Sequence, residues 1–383
     1  MNASPDHQTA KSTSFDVIVV GVGAVGSAIC YQLAKRGVRV LGIERFAIPH
    51  AQGGSHGFSR QTKIAPYIGS EYEPIILRSH ELWRELVEES GQAEIMVTTG
   101  FLDLHRDRKF PGYHHNAGHF EELGLAELNA RFPQFQLSDP YWGAYDPAGA
   151  LLRPELAITT MVRSAMQHGA QIQGHTQVLD WSEDSGSIIV KTDRDTYTAD
   201  RVVFSAGAWT GKLLKQLNIG CKATRMSFGW VWPERNAESY TAANMPCWCI
   251  DDEPGIYYGF PMMDDVPGYK IGLHWYGEPV DPDQFDRTPN AHDEELIRVG
   301  LRKFFPDANG PLLGLRTCLY THTSDDVPII DKHPEHDRVI LCGPLCGAGF
   351  KFVPAYAEAA ADLATAGDTK LAIDFLRIGS RFY

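Results

Sequence analysis

The chain has no excess of positive charge. Across 383 residues, 35 lysines and arginines stand against 48 aspartates and glutamates, a formal net charge of −13. Without a basic field there is little to attract a phosphate backbone, so nucleic acid is not an expected partner. A few local cations are still enough to receive a small anionic substrate. Cysteine is sparse as well. The seven, from Cys30 to Cys346, are an odd number in a long chain and outline no disulfide framework, which points to a reducing, cytoplasmic setting. Cys247 and Cys249 form a C-x-C with no accompanying His or Cys cluster, so no metal site is expected. Repeats and low-complexity tracts are absent, and no apolar run approaches membrane-spanning length. The one uncharged stretch, 17–34, holds Gly21, Gly23, Gly26, Ser27 and Gln32 and continues into Lys35-Arg36. It reads as strand, turn and helix rather than as a signal peptide or a membrane span. The first fourteen residues are polar and read as a loose tail.

What is present has globular proportions, with 43% hydrophobic and 22% charged residues, enough to fill the two or three domains that the length allows. Residues 15–20 are a β-branched run, 24–35 a helix closed by Gly37, and 38–43 a second apolar run. Together they predict a βαβ unit with parallel strands. Residues 71–89 predict an amphipathic helix with Ile75, Ile76, Leu82, Trp83, Leu86 and Val87 on one face. Pro154 opens a further helix over 153–168, and Gly169 ends it. Strands follow at 176–181, 187–191 and 201–205. Over 226–232, Phe228, Trp230 and Trp232 alternate as if on one face of a sheet. A last strand at 338–342 and a last helix at 354–366 return to the opening pattern. The order is βαβ first, β-rich in the middle, then a strand and a helix: an α/β chain of two interleaved domains.

Gly21-Val22-Gly23-Ala24-Val25-Gly26 is G-x-G-x-x-G, set between an expected strand and an expected helix. Gly21 permits the tight turn, Gly23 the close approach of a pyrophosphate, and Gly26 the packing of helix on strand. The helix N-terminus offers free N–H groups and the positive end of a dipole. Glu44 ends the second strand, 18 residues after Gly26, where its carboxylate can accept hydrogen bonds from ribose hydroxyls. Arg45 beside it hints at a 2′-phosphate, against which Glu44 argues. The motif alone leaves FAD and NAD both open.

Downstream come Gly54-Ser55-His56-Gly57-Phe58-Ser59-Arg60, Leu77-Arg78-Ser79, Gly255-Ile256-Tyr257-Tyr258-Gly259-Phe260-Pro261, Lys270-Ile271-Gly272-Leu273-His274, Thr317-Cys318-Leu319-Tyr320-Thr321 and Gly349-Phe350-Lys351-Phe352. In this order and spacing they resemble the monomeric sarcosine oxidase and N-methyltryptophan oxidase family, within the D-amino-acid-oxidase-like FAD superfamily. The resemblance covers essentially the whole chain. It implies a Rossmann-type FAD-binding domain (1–90, 148–222 and 325–383) interleaved with a substrate domain on a mixed or antiparallel sheet (91–147 and 223–324). It implies FAD attached through a thioether at Cys318, and Lys270 over the flavin face as the cation that assists O2. His274 and Tyr258 would line the amine site. His56 and Arg60 would lie near the flavin ring, and Lys351 would contact the substrate carboxylate beside the cofactor.

Two departures from the family pattern stand out. Lys63 occupies the position where sarcosine oxidases place an arginine on the substrate carboxylate, and a lysine cannot form the bidentate fork. Gly347-Ala348-Gly349 replaces a common Gly-His-Gly. Trp230, Trp232, Trp248, Met262, Met263 and Trp275 supply bulk for either a core or a larger pocket. The activity implied is FAD-dependent oxidation of a secondary amine, an N-methyl amino acid foremost, to an imine and then an aldehyde and the demethylated amine, with O2 reduced to H2O2. A monomer without a nucleic-acid, membrane or metal partner is expected. The alternatives are an oxidase of a cyclic imino acid, a glycated amino acid or a natural-product amine, or a nicotinamide-dependent dehydrogenase.

Overall fold

The computed structural model describes residues 13–64, 69–106, 120–217, 219–274 and 277–382. Trp275 and the first twelve residues of the polar tail lie outside the described residues. Strand Ser14–Val20 pairs in parallel with Val40–Ile43 on one side and with Thr196–Phe204 on the other. Gln171–Gln173 and Val339–Cys342 extend this parallel core, while Val178–Asp184 and Ser187–Thr192 add an antiparallel flap. Helix Ala24–Lys35 joins the first two strands as the spacing predicts. Val17 and Val19 pack beneath the helices, whereas Ile18 and Val20 pack against the flap strands. A strand buried on both faces needs an uninterrupted apolar run, and that is what the sequence supplies.

Helix Glu73–Ser90 begins after a single 3-10 turn over Ser70–Tyr72 and ends at Gly91, whose φ of 67° is left-handed. The flap strand starts at Val178 rather than 176, because the Gln177 N–H is taken by the Asp193 carboxylate.

The second sheet has nine strands and is mixed. Phe101–His105 and Cys247–Asp252 run parallel, and the other pairings are antiparallel. One face of it carries Leu102, Leu104, Trp248, Ile250, Tyr257, Tyr269 and Ile271, and helix Ala291–Phe304 covers that face through Ile297, Leu301 and Phe304. The sequence reading assigns no helix there. Its start is a capping box: the Asn290 side chain accepts the N–H groups of His292 and Asp293, and Asp293 returns to the Asn290 N–H. Phe228 and Trp230 share a face as expected. Trp232 does not, since the strand ends at Val231, and its side chain is half exposed. Among the described residues no helix is long and apolar enough to cross a membrane.

Candidate active site

The glycine turn shapes one wall of a cavity of about 390 Å³. Gly21 has φ +91° and donates its N–H to Ile43 O at 2.8 Å. A Cβ on Gly26 would stand 1.8 Å from Gly21 O, so only glycine lets the helix pack here. A Cβ on Gly23 would meet no protein atom within 4 Å, and its backbone faces the open channel. That is the cradle a pyrophosphate requires. Glu44 lines the same channel, buried, and its carboxylate accepts N–H groups from Val22 at 2.9 Å and Phe46 at 3.0 Å. It therefore holds the turn as well as facing the cavity. Arg45 is committed to Asp283 at 2.6 Å, which removes the hint of a 2′-phosphate partner. Arg60, Tyr320 and Gly347 line the channel too.

The second sheet presents its other face to this region, and strand register decides what that face contains. Asp103 stands opposite Cys249, Cys249 opposite Tyr258, Tyr258 opposite Gly272, and Gly272 opposite Phe228. Residues directly opposite one another in a sheet point the same way, and those two further along each strand join them. Lys270, Phe260 and Trp230 thus flank this row on one side. His274, Met226 and Cys318 flank it on the other. Residues from six strands, from 103 to 318, meet on one surface. The tyrosine ring lies across Gly272, where a Cβ would come within 2.5 Å of it.

Lys270 is buried, and its ammonium sits 4.4 Å from the Phe228 ring centre and 4.8 Å from that of Phe260. It donates to Gly57 O at 2.8 Å and Ser59 O at 3.0 Å. Burial, with Arg60 nearby, holds it well below the usual lysine range. The same loop is gripped from the other side by Glu155, which accepts the N–H groups of Gly57 at 2.6 Å and Phe58 at 3.1 Å. Sequence reasoning misses Glu155, which stands next to Pro154 in the first turn of helix Pro154–Gln167. His56 is buried with neither ring nitrogen hydrogen-bonded among the described residues. Burial, then Arg60 and Lys270, push it down to about 3, so the cation of the His56–Arg60 pair is Arg60 alone.

Cys318 is buried among Met226, Phe228 and Trp230, one residue from the channel-lining Leu319 and two from Tyr320. Burial raises its thiol while Arg60 and Lys270 oppose that rise; no such cation acts on Cys30 or Cys342. His274 Nδ1 lies 3.0 Å from the Tyr320 hydroxyl, and burial and then Lys351 push His274 down to about 3. Tyr258 meets His274 edge-on at 6.5 Å, and burial raises its phenol. Lys351 donates to Ala348 O at 3.1 Å, and burial, then Lys63, bring it down to about 7. Lys63 is paired with the buried Asp103 carboxylate. The sequence reading overlooks Asp103, although Phe101-Leu102-Asp103-Leu104-His105 alternates in a strand that is buried throughout.

The bulky residues divide between the two faces. Trp230 and Met263 belong to the site side, Trp248 and Met262 to the core beneath the helix. Gly347 has φ +72°, and the Tyr320 ring occupies the place of its missing Cβ.

Residues 16–363 match the family of FAD dependent oxidoreductases. The chain is 35% identical to monomeric sarcosine oxidase of Bacillus sp. (strain B-0618), over 96% of each protein. It is 30% identical to N-methyl-L-tryptophan oxidase of Yersinia pestis (strain Pestoides F), over 91% of this chain and 94% of that protein. The fold is also that of NikD, an unusual amino acid oxidase essential for nikkomycin biosynthesis, with a TM-score of 0.81 over 96% of this chain and 98% of that one at 23% identity. The glycine cradle, the buried carboxylate at the end of the second strand and the whole-length similarity lead to one conclusion: the chain belongs to the FAD dependent oxidoreductase family.

Proposed function

We propose that this protein is an FAD-dependent oxidase of secondary amines, with N-methyl amino acids as its foremost substrate class, working as a soluble cytoplasmic monomer. The observation that carries this reading is the sheet face on which Lys270, Tyr258, His274 and Cys318 converge beside the glycine-lined channel. The cofactor domain would comprise 1–90, 148–222 and 325–383, which carry the parallel strands, and the substrate domain 91–147 with 223–324.

FAD, when bound, supplies a two-electron acceptor that O2 can reoxidise, with H2O2 as the product. Gly21, Gly23 and Gly26 would cradle its pyrophosphate, Glu44 its ribose, and Arg60 would place a fixed cation near its ring. Cys318 would hold it covalently, since Arg60 and Lys270 favour the thiolate that such a bond needs. Lys270, fixed by two carbonyls and walled by aromatic rings, would stabilise negative charge developing on oxygen. A substrate amine must reach the site unprotonated. His274, neutral at physiological pH and tied to Tyr320, is suited to accept a hydrogen bond there without adding charge. Lys351 offers a cation to the substrate's carboxylate, and the wall of Tyr258, Phe260 and Met263 excludes water.

The test is twofold. The purified protein should show a flavin absorbance spectrum, and a panel of N-methyl, cyclic and N-substituted amino acids should yield H2O2 with at least one member. A colourless protein that reduces a nicotinamide, or a yellow one that produces no H2O2 from any amine, would overturn the reading.

A further inference from the structure

We propose that Asp103 is a specificity-determining residue: by engaging Lys63 it withdraws that ammonium from a substrate's acid group and leaves Lys351 to make a single-point contact. This rests on the amine-oxidase reading above and narrows its substrate class.

Asp103 is on the sheet row beside Cys249 and Tyr258, so its carboxylate lies inside the site and not behind it. Its side chain and that of Lys63 are 6% and 4% exposed, and the Lys63 ammonium also sits 4.5 Å from the Phe101 ring centre. His105 Nε2 is 3.6 Å from the other Asp103 oxygen. A buried pair of this kind carries no net charge. A substrate carboxylate approaching Lys63 meets the repulsion of Asp103 as well, and taking the ammonium over would strand a buried carboxylate, which is strongly unfavourable. A lysine is a point charge and has no second face to offer.

The charged and titratable groups acting on Lys351 are Lys63, Cys249 and Asp103, and Lys351 in turn acts on His274. Affinity for the acid group therefore comes from one ammonium, itself half-protonated near neutrality. The site favours secondary amines whose binding comes mainly from an apolar part held against Tyr258, Phe260 and Met263. Small N-methyl amino acids, which offer little besides the acid, bind weakly.

The experiment uses the flavin-loaded protein and acetate, an acid with no amine, so that turnover is not involved. Binding is read from flavin absorbance and from the rise of Tm with acetate concentration. Asp103→Asn should tighten acetate by about tenfold, the scale of one released charge-assisted hydrogen bond. The gain should vanish in the Asp103→Asn/Lys63→Met double variant. No gain in the single variant, or the same gain in the double one, overturns the proposal. Should Asp103→Asn fail to fold, a pH series on the wild type decides. Acetate affinity should fall about tenfold per pH unit above 7 as Lys351 loses its proton. Affinity that is level to pH 9 would mean that Lys351 does not hold the acid, and would overturn it too. Failure of the oxidase reading is a separate event: it shows as absent H2O2 across the amine panel, whatever acetate does.

Discussion

The Glu44 carboxylate accepts the backbone N–H of Val22 at 2.9 Å, so the acid at the end of the second strand braces the turn that follows the first. Its other oxygen takes the Phe46 N–H at 3.0 Å. One residue thus holds the cradle and faces its occupant. Glu44→Ala should weaken FAD binding by ~10- to 150-fold, from the ~1.5–3 kcal/mol of a hydrogen bond to a charged group. Measured on a Cys318→Ser background, where flavin can dissociate, the loss should appear in the FAD Kd. The Tm of the flavin-free protein should drop as well, because the two N–H groups lose their acceptor. An unchanged Kd with a lowered Tm would confine Glu44 to bracing the turn.

Cys318 offers a test that survives unfolding. A thioether remains after acid precipitation, whereas flavin held by hydrogen bonds and packing is released with the fold. The wild type should stay yellow in acid and give a fluorescent band on a denaturing gel. Cys318→Ser should lose both, and serine at Cys30, Cys221, Cys247, Cys249, Cys342 or Cys346 should lose neither. Colour retained by Cys318→Ser would move the attachment elsewhere.

For Lys270 the expected effect is kinetic. Lys270→Met removes the cation but keeps an unbranched side chain that the Phe228, Phe260 and Trp230 rings can accommodate. Anaerobic reduction by substrate should stay within about threefold, and the reaction with O2 should slow by ~10²-fold or more, the usual effect of deleting one preorganised electrostatic group. Stopped-flow measurement of the two half-reactions separates them. Because burial holds this lysine below its ordinary range, the O2 reaction of the wild type should also weaken as pH rises. An oxygen rate that is the same in the variant would assign the task to Arg60 or to Arg316, the other arginine whose charge acts on Lys270.

Lys351 makes a prediction about stability. Burial and then Lys63 bring it from the usual 10.5 down to about 7. Between those values the unfolded chain holds the proton and the folded chain does not, so stability rises with pH across that window. The cost of burying the ammonium is fully present below about 7 and gone above about 10.5. Lys351→Met should therefore raise Tm most near pH 6, and the difference from wild type should shrink steadily towards pH 10. A Tm difference independent of pH would mean that Lys351 is not held neutral by its surroundings.

Some of this protein was legible from the chain alone. The βαβ unit and its G-x-G-x-x-G turn depend on contacts between near neighbours, so the spacing of Gly21, Gly23, Gly26 and Glu44 carries their geometry. Helices over Glu73–Ser90, Pro154–Gln167 and Val353–Thr365 follow from apolar periodicity with Gly or Pro at their ends. Helix Ala291–Phe304 was legible too: Ile297, Leu301 and Phe304 recur at helical spacing behind the Asn290 cap, a pattern the sequence reading passed over. The exposed Trp232 shows the opposite failure, an alternation that continues past the end of its strand.

The tertiary structure alone decided which residues meet. Strand register across the second sheet sets Asp103, Cys249 and Tyr258 side by side, and no local pattern encodes pairing between residues about 150 positions apart. It likewise decided charge. A histidine or lysine has its ordinary proton affinity in a sequence; burial and neighbouring cations made His56 and His274 neutral and brought Lys351 to the edge of neutrality. The residue types of a flavin enzyme were written in the chain, but their charge states and the pairing of Lys63 with Asp103 exist only where desolvation and long-range contact act together.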